Sequence, residues 1–130
     1  MQNKSILIVD DDEDDRDIFL EALKNVDSSI NCMSATNGEE ALRILQNVKI
    51  PTPDVIFLDM NMPRMDGKEC LTEIKKTEKL QHIPVIIYTT TSRTEDIEEM
   101  KRKGAVHFLT KPTEFDKISS EIKYVLNKWC

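Results

Sequence analysis

The sequence predicts an α/β fold: a doubly wound, five-stranded parallel sheet with five helices. Three observations predict it. Ile6-Leu7-Ile8-Val9, Val55-Ile56-Phe57-Leu58 and Val85-Ile86-Ile87 are unbroken apolar runs, the pattern of strands buried on both faces. Segments with apolar residues at helical spacing alternate with these runs. The connections are short, which imposes right-handed crossovers between parallel strands.

The first strand, Ser5 to Val9, ends in the acidic run Asp10-Asp11-Asp12-Glu13-Asp14-Asp15. A helix follows, with Ile18, Phe19, Ala22, Leu23 and Val26 on one stripe. Asp14, Asp15 and Asp17 suit the positive end of its dipole. Asp10 and Asp11 precede the helix and need another reason. Ile30 to Ala35 is a weaker strand, Asn37-Gly38 a turn, and Glu39 to Gln46 a helix with Ala41, Leu42 and Leu45 inward. A proline-containing connection, Val48 to Pro53, leads to the third strand, which ends on Asp59. Pro63 and Asp66-Gly67 then break the backbone before a helix from about Lys68 to Lys76, carrying Leu71 and Ile74. Pro84 to Thr89 is the fourth strand. The fourth helix runs from about Glu95 to Lys103 and stops at Gly104. Ala105 to Thr110 is the fifth strand, followed by Lys111-Pro112. The last helix has Phe115, Ile118, Ile122, Val125 and Trp129 on one face.

At 130 residues the chain reads as one domain, 1–130, large enough for a real core. With 39% hydrophobic and 32% charged residues, disorder is not expected. No apolar run reaches the length of a membrane span, and Met1 to Lys4 is too short for a targeting peptide. The net charge of −6 argues against a nucleic-acid partner. Cys32, Cys70 and Cys130 are odd in number and lack ligand spacing. They read as reduced thiols of a cytoplasmic protein, the first two near the core and Cys130 exposed. His82 and His107 have no partner pattern and read as structural. Lys101-Arg102-Lys103 reads as a solvated helix end.

In a parallel sheet, chemistry collects at the carboxyl ends of the strands. Those ends offer Asp10 and Asp11, Asp59, Thr89 and Lys111. A flavodoxin-like strand order, 2-1-3-4-5, would make strands one and three neighbours and gather the carboxylates in one crevice. Clustered carboxylates repel, so a hard divalent cation such as Mg²⁺ is the natural way to keep them ionised. With a hydroxyl from Thr89 and an ammonium from Lys111, the set makes a pocket for a phosphoryl group on Asp59.

From Ser5 to about Lys128 the sequence resembles the response-regulator receiver domain of two-component signalling. The resemblance rests on Ile6-Leu7-Ile8-Val9-Asp10-Asp11, Phe57-Leu58-Asp59-Met60-Asn61-Met62-Pro63-Arg64-Met65-Asp66-Gly67, Pro84 to Thr89, Gly104-Ala105 and Lys111-Pro112. The ordered set is specific where any single piece is weak. The resemblance implies that Asp59 is the phosphoryl acceptor. It implies that Asp11, Asp59 and the Asn61 backbone carbonyl ligate Mg²⁺, with Asp10 acting mainly through water. Thr89 and Lys111 would bind phosphoryl oxygens, and Thr89 and Phe108 would form the switch pair. Thr90 stands where the family often has a smaller residue, and its bulk would narrow access to Asp59.

The resemblance further implies a stand-alone receiver with no output domain, similar to those paired with phytochrome-type kinases. Its donor would be a histidine kinase or a histidine phosphotransfer protein. Its output would be a downstream protein partner or self-association through helix 4, strand 5 and helix 5. Such a domain catalyses its own phosphorylation and dephosphorylation and is not otherwise an enzyme. One alternative is a Mg²⁺-dependent aspartyl-phosphate phosphatase of the haloacid dehalogenase type. That chemistry needs a second Asp two residues after the first, and Asn61 stands there. The other is a pseudo-receiver binding module, which typically has lost the acceptor or the acid pair; both are present.

Overall fold

The computed structural model describes residues 4–130. The elements alternate as expected: β1 (Ser5–Val9), α1 (Glu13–Val26), β2 (Asn31–Ala35), α2 (Gly38–Gln46), β3 (Val55–Leu58), α3 (Gly67–Lys76), β4 (Val85–Thr89), α4 (Thr94–Arg102), β5 (His107–Thr110) and α5 (Phe115–Trp129). All five strands are parallel, in the order β2-β1-β3-β4-β5. The crossover between β1 and β3 places the strands bearing Asp10 and Asp59 side by side, with Val9 opposite Leu58.

Side-chain alternation explains the unbroken apolar runs. Ile6, Ile8, Val55, Phe57, Ile86 and Tyr88 point to one face, where Phe19, Ala22 and Leu23 of α1 and Ile118, Ile122 and Val125 of α5 cover them. Leu7, Val9, Ile56, Leu58, Val85 and Ile87 point to the other, under α2, α3 and α4. The central strands β1, β3 and β4 therefore carry unbroken apolar runs because both faces are covered. Phe19, Phe57 and Tyr88 meet edge to face at the centre of the first layer, with ring centroids 4.8 to 6.1 Å apart. Burying a side chain of this size contributes about 1.5–3 kcal/mol. Such burial, more than propensity, holds helices as short as the nine-residue α2.

The helices are not equally anchored. α3 carries a full capping box between Asp66 and Glu69 and buries Cys70, Leu71 and Ile74. α4 has no side-chain cap and buries only Met100. Its further ties to α3 include ion pairs from Lys68 to Glu99 (2.8 Å) and Asp96 (3.7 Å), contacts that water screens. Gly104 closes α4 at φ 112°, a conformation that a side chain would strain.

Several expectations need correction. Ile18 and Phe115, expected on inward stripes, are 41% and 40% exposed. Ile18 is one step round α1 from the buried Phe19, off the stripe that meets the sheet, and Phe115 is the first residue of α5. Val26, Leu42 and Trp129 are half-buried at the layer margins. Asn37 caps α2, its side chain accepting from the Glu40 amide, and Gly38 is already helical. Cys130, expected exposed, is half-buried against the α1–α5 layer. Cys70 is buried and Cys32 half-buried, and burial pushes both thiols up to about 12. Among the described residues no helix is long and apolar enough to cross a membrane.

Candidate functional site

The sheet ladder runs one residue past three strands and holds the site residues by their own backbones. The Asp10 amide donates to the Ala35 carbonyl at 3.0 Å, that of Asp59 to Val9 at 3.0 Å, and that of Lys111 to Thr89 at 2.7 Å. Each side chain thus emerges from a rigid strand end. Asp10 is 1% exposed and Asp59 6%, while Asp11 reaches the surface. One carboxylate oxygen from each of Asp10, Asp11 and Asp59 lies within 4.8 Å of the others. The Asp12 amide donates to Asp10 Oδ1 at 3.0 Å, and the Asn61 amide to Asp59 Oδ1 at 3.3 Å.

Lys111 stands among these acids. Its Nζ donates to Asp10 Oδ2 at 2.6 Å, Asp15 Oδ2 at 2.9 Å and Asp59 Oδ2 at 3.3 Å. Burial alone would lower the affinity of its ammonium for protons. The hydrogen bonds to Asp10 and Asp15 and the charge of Asp59 outweigh burial, so its pKa rises. Burial raises the Asp10 carboxyl to about 6 despite the opposing bond from Lys111. The repulsion expected from clustered carboxylates is therefore partly offset by a cation within the protein itself.

The three-acid set fits a hard divalent cation: all side-chain donors are oxygens, the carboxylates converge, and one is exposed enough to admit solvent. At the end of β4, Thr89 is fully buried, and among the described residues its Oγ1 has no hydrogen-bond partner. A buried hydroxyl in that state costs free energy unless something arrives to accept from it. Thr90 beside it is exposed. Phe108 is half-buried against the α2–α3–α4 layer. It pairs with Ile87, two residues before Thr89, so Thr89 and Phe108 lie diagonally on one sheet face.

The structure brings Asp10, Asp11, Asp59 and Lys111 together and ties the Asn61 amide to Asp59, while Thr89 stands at the end of the neighbouring β4 and Phe108 lies further back on the sheet. Asp15 was missed, having been ascribed to the helix dipole. A signal was available. The buried stripe of α1 runs through Phe19, Ala22 and Leu23, and Asp15 stands four residues before Phe19 on that face.

Comparison with known proteins identifies the class of signalling domain to which this fold and acid cluster belong. Residues 6–123 match the family model described as the response regulator receiver domain. Over 126 residues the chain is 35% identical to the sporulation initiation phosphotransferase F of Bacillus subtilis, spanning 97% of this chain and 96% of that one. The crystal structure of the Mn²⁺-bound form of response regulator Rcp1 superposes with a TM-score of 0.85 at 29% identity, covering 97% of this chain and 94% of that one. The phosphorylated cyanobacterial phytochrome response regulator RcpA gives 0.90 at 29% identity, over 98% and 94%. The chain belongs to the response-regulator receiver family and is a two-component signalling module with phytochrome-associated neighbours.

Proposed function

We propose that Asp59 accepts a phosphoryl group from the phosphohistidine of a histidine kinase or a histidine phosphotransfer protein. A carboxylate oxygen of Asp59 attacks phosphorus. The P–N bond breaks as the P–O bond forms, and its electron pair returns to the imidazole of the donor. The observation that carries this reading is the unpartnered, buried Thr89 Oγ1 at the end of β4, the strand beside the one that leads to Asp59, together with Lys111 Nζ 3.3 Å from Asp59 Oδ2. Thr89 and Lys111 supply the hydroxyl and ammonium that a bound phosphoryl group needs, and positioning with charge neutralisation is most of what this transfer requires. Asp10, Asp11, Asp59 and the Asn61 backbone carbonyl are the proposed holders of Mg²⁺, which when bound would neutralise charge on the transferring group.

Output follows from the same hydroxyl. Thr89 moves to donate to a phosphoryl oxygen, and Phe108, on the same sheet face, takes the vacated space. α4 is the least anchored helix and packs on β5, so it is the element that responds. The signal is then read by a protein partner, or a second copy of the chain, at α4, β5 and α5, without nucleic acid or membrane. Moving an active population from about 1% to 99% needs roughly 5.5 kcal/mol of differential stabilisation. Charge-assisted hydrogen bonds in a partly dry pocket supply energies of that order. The three free cysteines suit a cytoplasmic setting.

The test is incubation with acetyl phosphate and Mg²⁺, followed by intact-mass and peptide analysis. One base-labile phosphoryl group on the peptide containing Asp59 is expected. A wild-type chain that gains no adduct, or one that gains it elsewhere, rejects the reading.

A further inference from the structure

An ammonium has three N–H donors, and Lys111 directs all three at carboxylates. Nothing is left for a phosphoryl oxygen. If Lys111 is to bind one, as the function proposed above requires, one existing bond must break. The three partners differ in what that would cost. The Asp10 and Asp59 side chains are 1% and 8% exposed, whereas that of Asp15 is 36% exposed. A carboxylate released at Asp10 or Asp59 would stay in a nearly dry crevice. One released at Asp15 is taken up by water at the rim, so its bond is the cheapest to give up.

We propose that Asp15 is a positioning residue: it tethers Lys111 while Asp59 is bare and releases it when a phosphoryl group arrives. The inference rests on the reading of Asp59 as acceptor. The Asp15 carboxylate has no hydrogen bond to the acceptor or to the proposed metal ligands among the described residues, and its link to the site is the bond from Lys111. Its place is set by α1, where the Asp15 amide bonds to the Asp12 cap at 3.1 Å and Phe19 buries the next turn. Two consequences follow. The tether keeps the ammonium at the crevice, ordered before the reaction. It also competes with the phosphoryl group, so it weakens phosphoryl binding by the strength of one partly exposed ion pair.

The experiment titrates beryllofluoride, a phosphoryl mimic, into the Mg²⁺-loaded full chain and compares Asp15→Asn with Asp14→Asn. Asp14 is exposed in the same helical turn, so its variant makes the same change in charge and helix dipole without a contact to Lys111. Asp15→Asn is expected to bind the mimic about fivefold more tightly than Asp14→Asn, the scale of one such pair. The second readout is the Lys111 side-chain ammonium signal in NMR. It should differ between wild type and Asp15→Asn without the mimic and converge once the mimic is bound. Equal affinities for the two variants, weaker binding by Asp15→Asn, or ammonium signals that stay apart in the loaded state each overturn the tether. If wild type binds no beryllofluoride at all, the acceptor reading itself fails, an outcome distinct from these.

Discussion

The backbone of Gly67 lies so close to Asp59 that a Cβ placed on it would sit 2.2 Å from the Asp59 carbonyl oxygen. The start of α3 is thereby pressed against the acceptor strand, and the Gly67 amide bonds to the Met60 carbonyl at 2.9 Å. Gly67→Ala must push this loop away from β3, a backbone clash that a side-chain rotation cannot relieve. We expect a loss of about 2 kcal/mol or more in chemical denaturation, with weakened Mg²⁺ binding because Asn61 lies in the displaced loop. Wild-type stability in this variant would show that the loop yields freely.

Asp59→Asn keeps the shape of the acceptor and removes its nucleophile. Phosphotransfer should vanish while the fold persists. Without metal, the variant removes one of three mutually repelling carboxylates and keeps an amide oxygen that can accept from Lys111, so it should be no less stable than wild type. Millimolar Mg²⁺ should raise the wild-type Tm by mass action and raise the variant's less. A thermal scan with and without Mg²⁺ reads both outcomes, and a wild-type Tm insensitive to Mg²⁺ counts against the acid cluster as a metal site.

The hydroxyl of Thr89 is an unusual case in which removing a polar group should help the resting protein. Its Oγ1 is buried without a partner, so Thr89→Val, which replaces it with a methyl of similar size, should stabilise the unphosphorylated chain by about 1 kcal/mol. The same variant should still take beryllofluoride at Asp59 yet fail to pass the change to α4 and β5. Amide hydrogen exchange in those elements, with and without the mimic, measures the transmission. A response equal to wild type would remove Thr89 from the route to Phe108.

His107 provides a pH dependence away from the site. It lies among Tyr124 (5.5 Å) and Trp129 (5.2 Å) on the β5 edge. Burial first, then the charges of Lys128 and Lys101, lowers its pKa below the usual 6.5. The unfolded chain therefore takes up this proton at higher pH than the folded one. The stability involved is fully present above about pH 6.5 and is lost as pH falls through the window below it. His107→Gln should flatten this part of the stability profile. The check is the wild-type minus variant difference in unfolding free energy at pH 7.5 and about pH 5.5, and a difference that does not shrink on acidification contradicts the assignment.

The strands and the residues at their ends were legible in the sequence because they depend on local pattern, whereas their order followed from likeness to a known strand arrangement. A run such as Val55 to Leu58 is apolar at every position only when both faces are covered. A parallel sheet then puts the next residue, Asp59, at the edge where ligands bind. Asn37 was read as a turn residue, not a cap, because turns and helix starts share the same side-chain chemistry.

The tertiary structure alone decided the relations between elements. Whether Asp15 faces water or Lys111 depends on the rotational phase of α1 against β5, 96 residues further along the chain. The exposure of Ile18 and Phe115 depends on how each helix is rotated and placed against the sheet, which helical periodicity alone does not encode. The lack of a partner for Thr89 Oγ1 is likewise a property of everything packed around it. Apolar pattern determines which segments form buried strands and which residues stand at their ends, since burial acts on every residue in a segment alike. Which charges meet is settled only once the layers have packed, because an ion pair forms over a few ångströms and depends on both partners' positions.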